Sequence, residues 1–173
     1  LPVDEYGRIR LDALKEALCD ETILVSVMYV NNEVGSVQPI AEASAIVKAY
    51  NKNILFHVDA VQGFGKYKIY PKKMGIDMLS VSGHKIHGPK GMGALYVRKG
   101  LNLPAFLLGG GQERHLRSGT ENTPGIIGFG KAAALAMTNF DARIETMRTC
   151  RKFLLEACKA EIPDIRINSP EDE

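Results

Sequence analysis

The chain has 173 residues, and its 22 lysines and arginines face 20 aspartates and glutamates, which leaves a net charge of +2. Hydrophobic residues make up 45% of the chain and charged residues 24%, so the composition favours a folded globular protein over a disordered one. The balanced charge argues against direct binding to nucleic acid. No apolar run approaches the about 20 residues of a membrane helix, so no membrane span is expected.

The first half of the chain alternates amphipathic and apolar segments. Leucines at helical spacing predict a short helix over residues 11–18. The β-branched run over residues 22–30 predicts a buried strand. A second helix is expected to begin at Pro39 and to end at Asn51, which can close it in a left-handed conformation. A second strand is predicted over residues 54–58.

The second half adds two further strands and two helices. Short apolar runs predict strands over residues 78–81 and 93–98, and the latter can run antiparallel because it follows through a glycine-rich turn. Apolar residues at helical spacing predict one helix from Pro124 and a second over residues 144–158, which Pro163 ends. Strands that alternate with helices predict an α/β fold, with a mostly parallel sheet flanked by helices.

The cysteines indicate the compartment. Three of them, at positions 19, 150 and 158, cannot all pair within one chain, and no CxxC motif is present. A framework of disulfide bonds is therefore not expected. This pattern favours a reducing compartment and predicts a cytoplasmic protein.

A polar, glycine-rich stretch over residues 101–120 joins the predicted sheet to the last helices. We therefore expect a boundary at its end, between residues 1–120 and residues 121–173. Within it, the run GGGQERHLRSGT over residues 109–120 has glycines whose backbone amides can approach an anion. The alternative interpretation is a flexible loop with solvated arginines.

Polar residues also follow each of the first three predicted strands, over residues 31–35, 59–63 and 82–85. Ligands bind at the carboxyl ends of the strands in open parallel sheets. Because these ends meet at one edge of the sheet, the three segments suit one shared site.

Two charged residues of these segments suit pyridoxal phosphate. Asp59 alone fits a turn or cap, but a carboxylate at a strand end can also keep a pyridine nitrogen protonated. Lys85 alone fits the solvated surface, but its amine can bind the cofactor aldehyde covalently. Gln62 can reach a ring substituent, and Ser82 and His84 can donate hydrogen bonds to an anion.

Motifs for nucleotide binding and for metal binding are incomplete in this sequence. Residues 88–91 lack the GxxxxGK[ST] spacing of a phosphate-binding loop, and the glycines at 63 and 65 do not extend to GxGxxG. His84 and His87 are close in sequence, but glycine and proline break any helix there, and no cysteine or carboxylate pair completes a ligand set. We therefore expect no metal site.

Four strings of the sequence resemble the cysteine desulfurases, which are pyridoxal-phosphate enzymes of the class V aminotransferase group with the fold-type I architecture. The strings are VNNEVG at 30–35, HVDAVQGFGK at 57–66, SVSGHKIHGPKGMGALYVR at 80–98 and GGGQERHLRSGTENTPGIIGFG at 109–130. Their number and order make the assignment to the superfamily specific. The strings SGHKIHGPKG and GGGQERHLRSGT favour a desulfurase within it.

The resemblance implies pyridoxal 5′-phosphate as cofactor and a role for each matching residue. Lys85 would bind the cofactor and later move a proton between substrate and cofactor. Asp59 would pair with the pyridine nitrogen, and Gln62 would hydrogen-bond the ring oxygen. Asn32 would contact substrate or cofactor at the edge of the ring.

The remaining matches imply a phosphate site and a partner subunit. Ser82 and His84 would hold the phosphate, and Thr120 would reach the phosphate of the neighbouring subunit, which implies a homodimer. The implied activity converts the substrate L-cysteine to L-alanine and an enzyme persulfide. The persulfide would pass its sulfur to an iron–sulfur scaffold protein or another sulfur acceptor.

Members of this family are longer than the chain, so we expect a fragment of a desulfurase. Residues 1–120 would be part of the large cofactor-binding domain, with an incomplete sheet, and residues 121–173 would be connecting helices and the start of the carboxyl-terminal domain. None of the three cysteines matches the persulfide cysteine, so we expect this piece alone to be inactive. Its uncovered apolar sheet surface should be exposed and favour self-association.

Two alternatives stay open. One alternative is that the chain is part of another class V enzyme, such as a selenocysteine lyase or an aminotransferase. The presence or absence of a cysteine on the downstream loop would discriminate between such an enzyme and a desulfurase. The chain can also be a non-catalytic module that binds a partner on the same scaffold.

Overall fold

The structure is a computed structural model that describes residues 1–170, so the last three residues of the predicted 121–173 region lie outside it. The elements are α1 (Leu11–Ala17), β1 (Leu24–Met28), α2 (Ile40–Tyr50), β2 (Leu55–Asp59), β3 (Met78–Ser82), β4 (Gly93–Val97), α3 (Thr123–Met137) and α4 (Phe140–Glu161). Two short 3-10 helices cover Gly83–Ile86 and Gln112–His115. In the described part of the chain, no helix is long and apolar enough to cross a membrane.

The four strands form one sheet in the order β1-β2-β3-β4. β1, β2 and β3 are parallel, and β4 runs antiparallel to β3. The predicted α/β fold with a mostly parallel sheet is therefore confirmed, and so is the reversed direction of the fourth strand. The reversal needs no crossover, because β4 follows β3 through a short glycine-rich connection.

One face of the sheet forms the main core. Phe56 and Val58 of β2 are fully buried and pack in one cluster with Ile40 and Val47 of α2 and with Leu14 of α1. Side chains alternate between the two faces of a strand. The polar residues of β2 therefore lie on the opposite face, away from α1 and α2.

A second, smaller cluster joins α3 to the sheet. Ile86, in the 3-10 helix after β3, packs against Ala132 and Ala136 of α3. Phe64 and Phe129 complete the cluster, and their ring centroids lie 6.4 Å apart in an edge-to-face arrangement. This packing holds α3 against the turn that carries Lys85.

A buried carboxylate connects α2 to three strands. Asp77, which directly precedes β3, accepts hydrogen bonds from Lys48 of α2, from Arg98 Nε at 2.6 Å and from the backbone N–H of Phe56 at 2.9 Å. Both carboxylate oxygens are therefore satisfied although the side chain is almost fully buried. We call this arrangement the Asp77 clamp.

Two predictions for the first half are wrong in detail. The run over residues 22–30 was expected to be a buried strand, but β1 is shorter and alternates between exposed and buried residues, because only one of its faces meets the core. Asn51 does not adopt a left-handed conformation, since its φ is −154° and its ψ is 116°. Its side chain instead accepts a hydrogen bond from the N–H of Asn53, which forms a local turn.

Apolar side chains of the two edge strands are exposed, as the incomplete sheet predicted. Leu24 of β1 is 46% exposed and Leu95 of β4 is 51% exposed. The largest apolar exposure lies elsewhere, because Phe106 and Leu108 in the connection before α3 are almost completely exposed. Self-association through such surfaces stays a prediction.

Candidate active site

The carboxyl ends of two neighbouring parallel strands carry the charged and polar residues of the candidate site. Asp59 is the last residue of β2, and Ser82 is the last residue of β3. The 3-10 helix that contains His84 and Lys85 begins directly after Ser82. The register pairs Asp59 with Ser80, so the two strands end at the same edge of the sheet.

Asp59 is anchored through one of its two carboxylate oxygens. Its Oδ1 accepts a hydrogen bond of 2.9 Å from the backbone N–H of Val61, which closes a local turn. Among residues 1–170, no hydrogen bond reaches its Oδ2. A half-buried carboxylate that is held at one oxygen and open at the other can bind a cationic group.

Ser82 and His84 form a hydrogen-bonded pair. The Oγ of Ser82 lies 2.7 Å from Nδ1 of His84. A hydroxyl group and an imidazole at the beginning of a turn are both able to donate hydrogen bonds to an anion. The pair is therefore chemically suited to a phosphate group.

Gly83 is closely packed in this turn. A Cβ atom at this position would lie 3.1 Å from Cδ2 of Phe129 and 3.2 Å from the carbonyl oxygens of Met92 and Pro89. The turn that carries Lys85 is consequently pressed against α3 and has little room to move. This rigidity helps to hold the Lys85 backbone in a constant position.

Lys85 itself is exposed, and a second lysine lies close to its backbone. The Nζ of Lys66 donates a hydrogen bond of 3.5 Å to the carbonyl oxygen of Lys85. The pKa of Lys66 is lowered, first by its partial burial and then by the positive charges of Lys85 and Arg143. Three cations therefore give this edge of the sheet a positive potential, which favours an anionic ligand.

The other predicted site residues lie in separate segments. The Asn32 side chain is exposed and donates a hydrogen bond of 2.7 Å to Oε1 of Glu33. Gln62 is half-buried in the turn that follows β2, and Thr120 is exposed in the connection before α3. Within residues 1–170, no hydrogen bond links these three side chains to the residues at the ends of β2 and β3.

The glycine-rich loop is held by its own hydrogen bonds. The Oε1 of Gln112 accepts from the N–H of Gly119 at 3.2 Å, and the Oγ of Ser118 donates to the carbonyl oxygen of Leu108 at 3.0 Å. Glu113, Arg114 and His115 all have positive φ angles, between 47° and 65°. Such angles are costly for residues other than glycine, so this segment is strained as well as exposed.

Two residues beside the site, Lys66 and His57, had no predicted role. Lys66 ends the second of the four family-like strings, but nothing in its sequence context distinguished it from a solvated surface lysine. His57 lies two residues before Asp59 in a strand, and this period-two spacing was the available signal that both share one face. Among residues 1–170, no group of three or more His, Cys, Asp or Glu side chains could hold a metal ion.

The fold and this edge of the sheet define the class of protein. The family model described as aminotransferase class-V matches residues 1–173. The chain therefore belongs to the class-V aminotransferase family.

Individual relatives are cysteine desulfurases. The chain is 49% identical over 99% of its length to cysteine desulfurase IscS of Clostridium botulinum (strain Hall), and it covers 43% of that protein. It is 48% identical over 97% of its length to cysteine desulfurase IscS of Methanosarcina thermophila, of which it covers 41%. The chain thus spans less than half the length of these curated relatives.

Solved structures of NifS-like proteins have the same fold as the chain. A NifS-like protein superimposes with a TM-score of 0.94 at 41% identity, over 99% of this chain and 47% of the other. A NifS-like protein from Rickettsia africae superimposes with a TM-score of 0.90 at 36% identity, over 96% of this chain and 46% of the other. The described elements therefore have the arrangement found in part of these longer proteins.

Proposed function

We propose that the chain is part of the cofactor-binding domain of a cysteine desulfurase that depends on pyridoxal 5′-phosphate. The observation that carries the proposal is the position of Asp59 and Lys85, a carboxylate and an amine at the same edge of the sheet, within strings that resemble the desulfurases. The identity of 49% to a cysteine desulfurase over almost the whole chain supports the same activity.

The residues at the strand ends fit the cofactor by their chemistry. The open oxygen of Asp59 suits a protonated pyridine nitrogen, and the exposed amine of Lys85 suits the aldehyde. Ser82 and His84 suit the phosphate, and Lys66 adds positive charge beside it. When bound, the pyridine ring serves as an electron sink that stabilises negative charge on the substrate carbon.

Each remaining predicted residue has a role in the same proposal. Lys85 holds the cofactor and moves a proton through its Nζ. Gln62 hydrogen-bonds the ring oxygen, and Asn32 contacts the edge of the ring once its amide leaves Glu33. Thr120 reaches the phosphate of a neighbouring subunit, so the proposal includes a homodimer.

The proposed reaction moves one sulfur atom. The carbon–sulfur bond of L-cysteine breaks, a sulfur–sulfur bond forms to an enzyme thiol, and the products are L-alanine and a persulfide. The carbon is reduced while the transferred sulfur and the thiol are oxidised, so no external oxidant is required. The persulfide then supplies an iron–sulfur scaffold protein or another sulfur acceptor, in the cytoplasm.

The attacking thiol is assigned to a cysteine of the whole protein outside this chain. Cys19 precedes β1 and therefore lies towards the amino ends of the strands, away from Lys85. Cys150 and Cys158 lie on α4, and neither matches the persulfide cysteine of the desulfurases that the chain resembles. We therefore expect the 173-residue chain to release no alanine from L-cysteine, and alanine release would contradict this assignment.

Covalent trapping of the cofactor tests the proposal directly. We would add pyridoxal phosphate to the 173-residue chain, reduce the mixture with borohydride and map the label by peptide mass. The expected result is one label at Lys85, which disappears in Lys85→Ala and persists in Lys90→Ala, a matched exposed lysine beyond the same turn. A label spread over many lysines, or one that survives in Lys85→Ala, would contradict a preformed site.

A further inference from the structure

A histidine on the sheet links three parallel strands through its side chain. The Nδ1 of His57 on β2 lies 2.7 Å from Oγ of Ser26 on β1. Its Nε2 lies 2.8 Å from Oγ of Ser80 on β3. Both ring nitrogens are therefore bonded, one on each side, and we call these three residues the serine–histidine row.

The row lies directly beside the candidate site. His57 and Asp59 share one face of β2, because residues two apart in a strand point to the same side. Ser80 and Ser82 share that face of β3 in the same way. Ser80 is also the register partner of Asp59, so the bond from His57 to Ser80 runs diagonally towards the end of the strand that carries Asp59.

The strands β2 and β3 pair over few residues, so the serine–histidine row can help to fix their register. β1 and β2 share five register pairs, whereas β2 and β3 share only three, from His57 with Met78 to Asp59 with Ser80. A slip of one residue would turn Asp59 to the opposite face of the sheet. The side-chain bond between His57 and Ser80 crosses this short pairing and opposes such a slip.

The ring is also suited to remain uncharged. Partial burial lowers the pKa of His57, and the negative charge of Asp59 opposes this effect only in part. Its hydrogen-bond partners on β1 and β3 are hydroxyl groups, which carry no charge, and among residues 1–170 the charged group that acts on the ring is Asp59. A neutral ring leaves the negative charge of Asp59 available to another cation.

We propose that His57 is a positioning residue for Asp59, which it holds at the site edge of β2 through its bonds to Ser26 and Ser80. This inference rests on the proposed function, because it concerns the carboxylate that would bind the pyridine nitrogen. His57 touches neither substrate nor cofactor in this role. Its effect reaches the cofactor through the placement of Asp59 and through the charge that Asp59 retains.

Three variants distinguish a role of His57 in positioning Asp59 from a role in the stability of the fold. His57→Phe keeps a planar ring but removes both hydrogen bonds, whereas His57→Gln keeps one donor and one acceptor group. Ile54→Val shortens a fully buried side chain just before the amino end of β2, so it weakens the fold without touching the row. For each variant, absorbance gives the dissociation constant of pyridoxal phosphate and the pH midpoint at which the bound cofactor changes colour.

The expected result is specific to the row. His57→Phe should weaken cofactor binding by about 10- to 100-fold, the range seen when a residue that orients a metal ligand is replaced, and should shift the pH midpoint. His57→Gln should restore most of the affinity, and Ile54→Val should keep the wild-type midpoint. If His57→Phe matches Ile54→Val in affinity and midpoint, the row is merely structural and the inference is wrong.

A measurement without cofactor completes the test. Nitrogen NMR of the histidine rings in the 173-residue chain should show His57 as a neutral ring with one fixed tautomer at pH 7. A protonated ring at pH 7 would overturn the inference on its own. Failure of the wild-type chain to bind pyridoxal phosphate would contradict the preformed site on which both proposals rest, whereas binding that is indifferent to His57→Phe would overturn only the role of His57.

Discussion

Two amphipathic helices of the chain, α2 and α4, differ in how they are packed. The helix α2 has 11 residues and buries four of them against the sheet. The helix α4 has 22 residues and buries none. Both sequences have apolar residues at helical spacing, so periodicity predicts that a helix forms and which face is apolar, but burial depends on whether the chain supplies an opposing surface.

This difference predicts where the stability of the chain originates. The cluster around Phe56 removes large apolar side chains from water, and such burial is the main favourable term in folding. Phe153 of α4 is 73% exposed and contributes little of this kind. Substitutions in the two regions should therefore have unequal effects on the free energy of unfolding.

The largest effect is expected at Phe56. Phe56→Ala should lower the free energy of unfolding by about 3–5 kcal/mol, because it leaves a cavity in the main core. Phe153→Ala should change it by less than about 0.5 kcal/mol, as is usual for surface positions. Urea unfolding of both variants measures the contrast, and equal losses would show that α4 is packed as tightly as the sheet.

The Asp77 clamp should give the next largest effect. Burial raises the pKa of Asp77, but hydrogen bonds from Lys48, from the N–H of Phe56 and from Arg98 outweigh it, so the pKa is lowered overall. A lowered carboxyl pKa contributes stability above the unfolded value of about 3.9, and this contribution disappears as the pH falls through the folded value.

Asp77→Asn should therefore cost about 3 kcal/mol at pH 7, as is typical when one partner of a buried ion pair is removed. The difference from wild type should begin to shrink below about pH 4, where the unfolded wild-type chain takes up a proton at this carboxyl group, and should shrink further as the pH falls through the lower folded pKa. Asp141→Asn removes an exposed ion pair with Lys68 and should cost at most about 1 kcal/mol. Urea unfolding across a range of pH measures both variants. A loss of stability in Asp77→Asn that does not depend on pH would show that the charge of the carboxylate is not what stabilises the fold.

The smallest of the three effects concerns the contact between α3 and the turn after β3. Gly83→Ala should cost about 1–3 kcal/mol, because the new methyl group meets Phe129 and two backbone carbonyl groups. Gly130→Ala, in the interior of α3 where a Cβ has open space, should instead stabilise the chain by about 0.5–1 kcal/mol. Thermal unfolding checks the opposite signs, and a harmless Gly83→Ala would show that α3 is loosely attached.

Most of the fold followed from local patterns in the sequence. The four strands, the helix after Pro39 and the end of α4 before Pro163 depend on apolar spacing and on proline, which act over a few residues. The conformation of Asn51 could not be predicted, because its side chain was free to accept the N–H of Asn53 instead. The exposure of Leu24 depends on which face of β1 meets α1 and α2, and that is a property of the tertiary packing.

The candidate site was partly predictable for the same reason. Asp59, Ser82, His84 and Lys85 lie at strand ends, and the rule that parallel strands end at one edge places them together. The row through His57 depends on the diagonal register between β2 and β3, which single strands do not reveal. The same holds for Lys66, whose contact with the Lys85 carbonyl group depends on how two connections approach each other.

The packing around the turn of Lys85 also restricts the paths by which this sequence can change. A Cβ atom at Gly88 would lie 3.0 Å from the carbonyl oxygen of Gly83 and 3.2 Å from Cβ of Ala132. A larger residue at either glycine therefore requires the backbone of the turn to shift and, on the other side, Phe129 or Ala132 of α3 to give way by a few tenths of an ångström. A lineage that retains Lys85 therefore has few substitutions open to it at these two glycines, because each new side chain must be accommodated by the turn itself and by the facing side of α3.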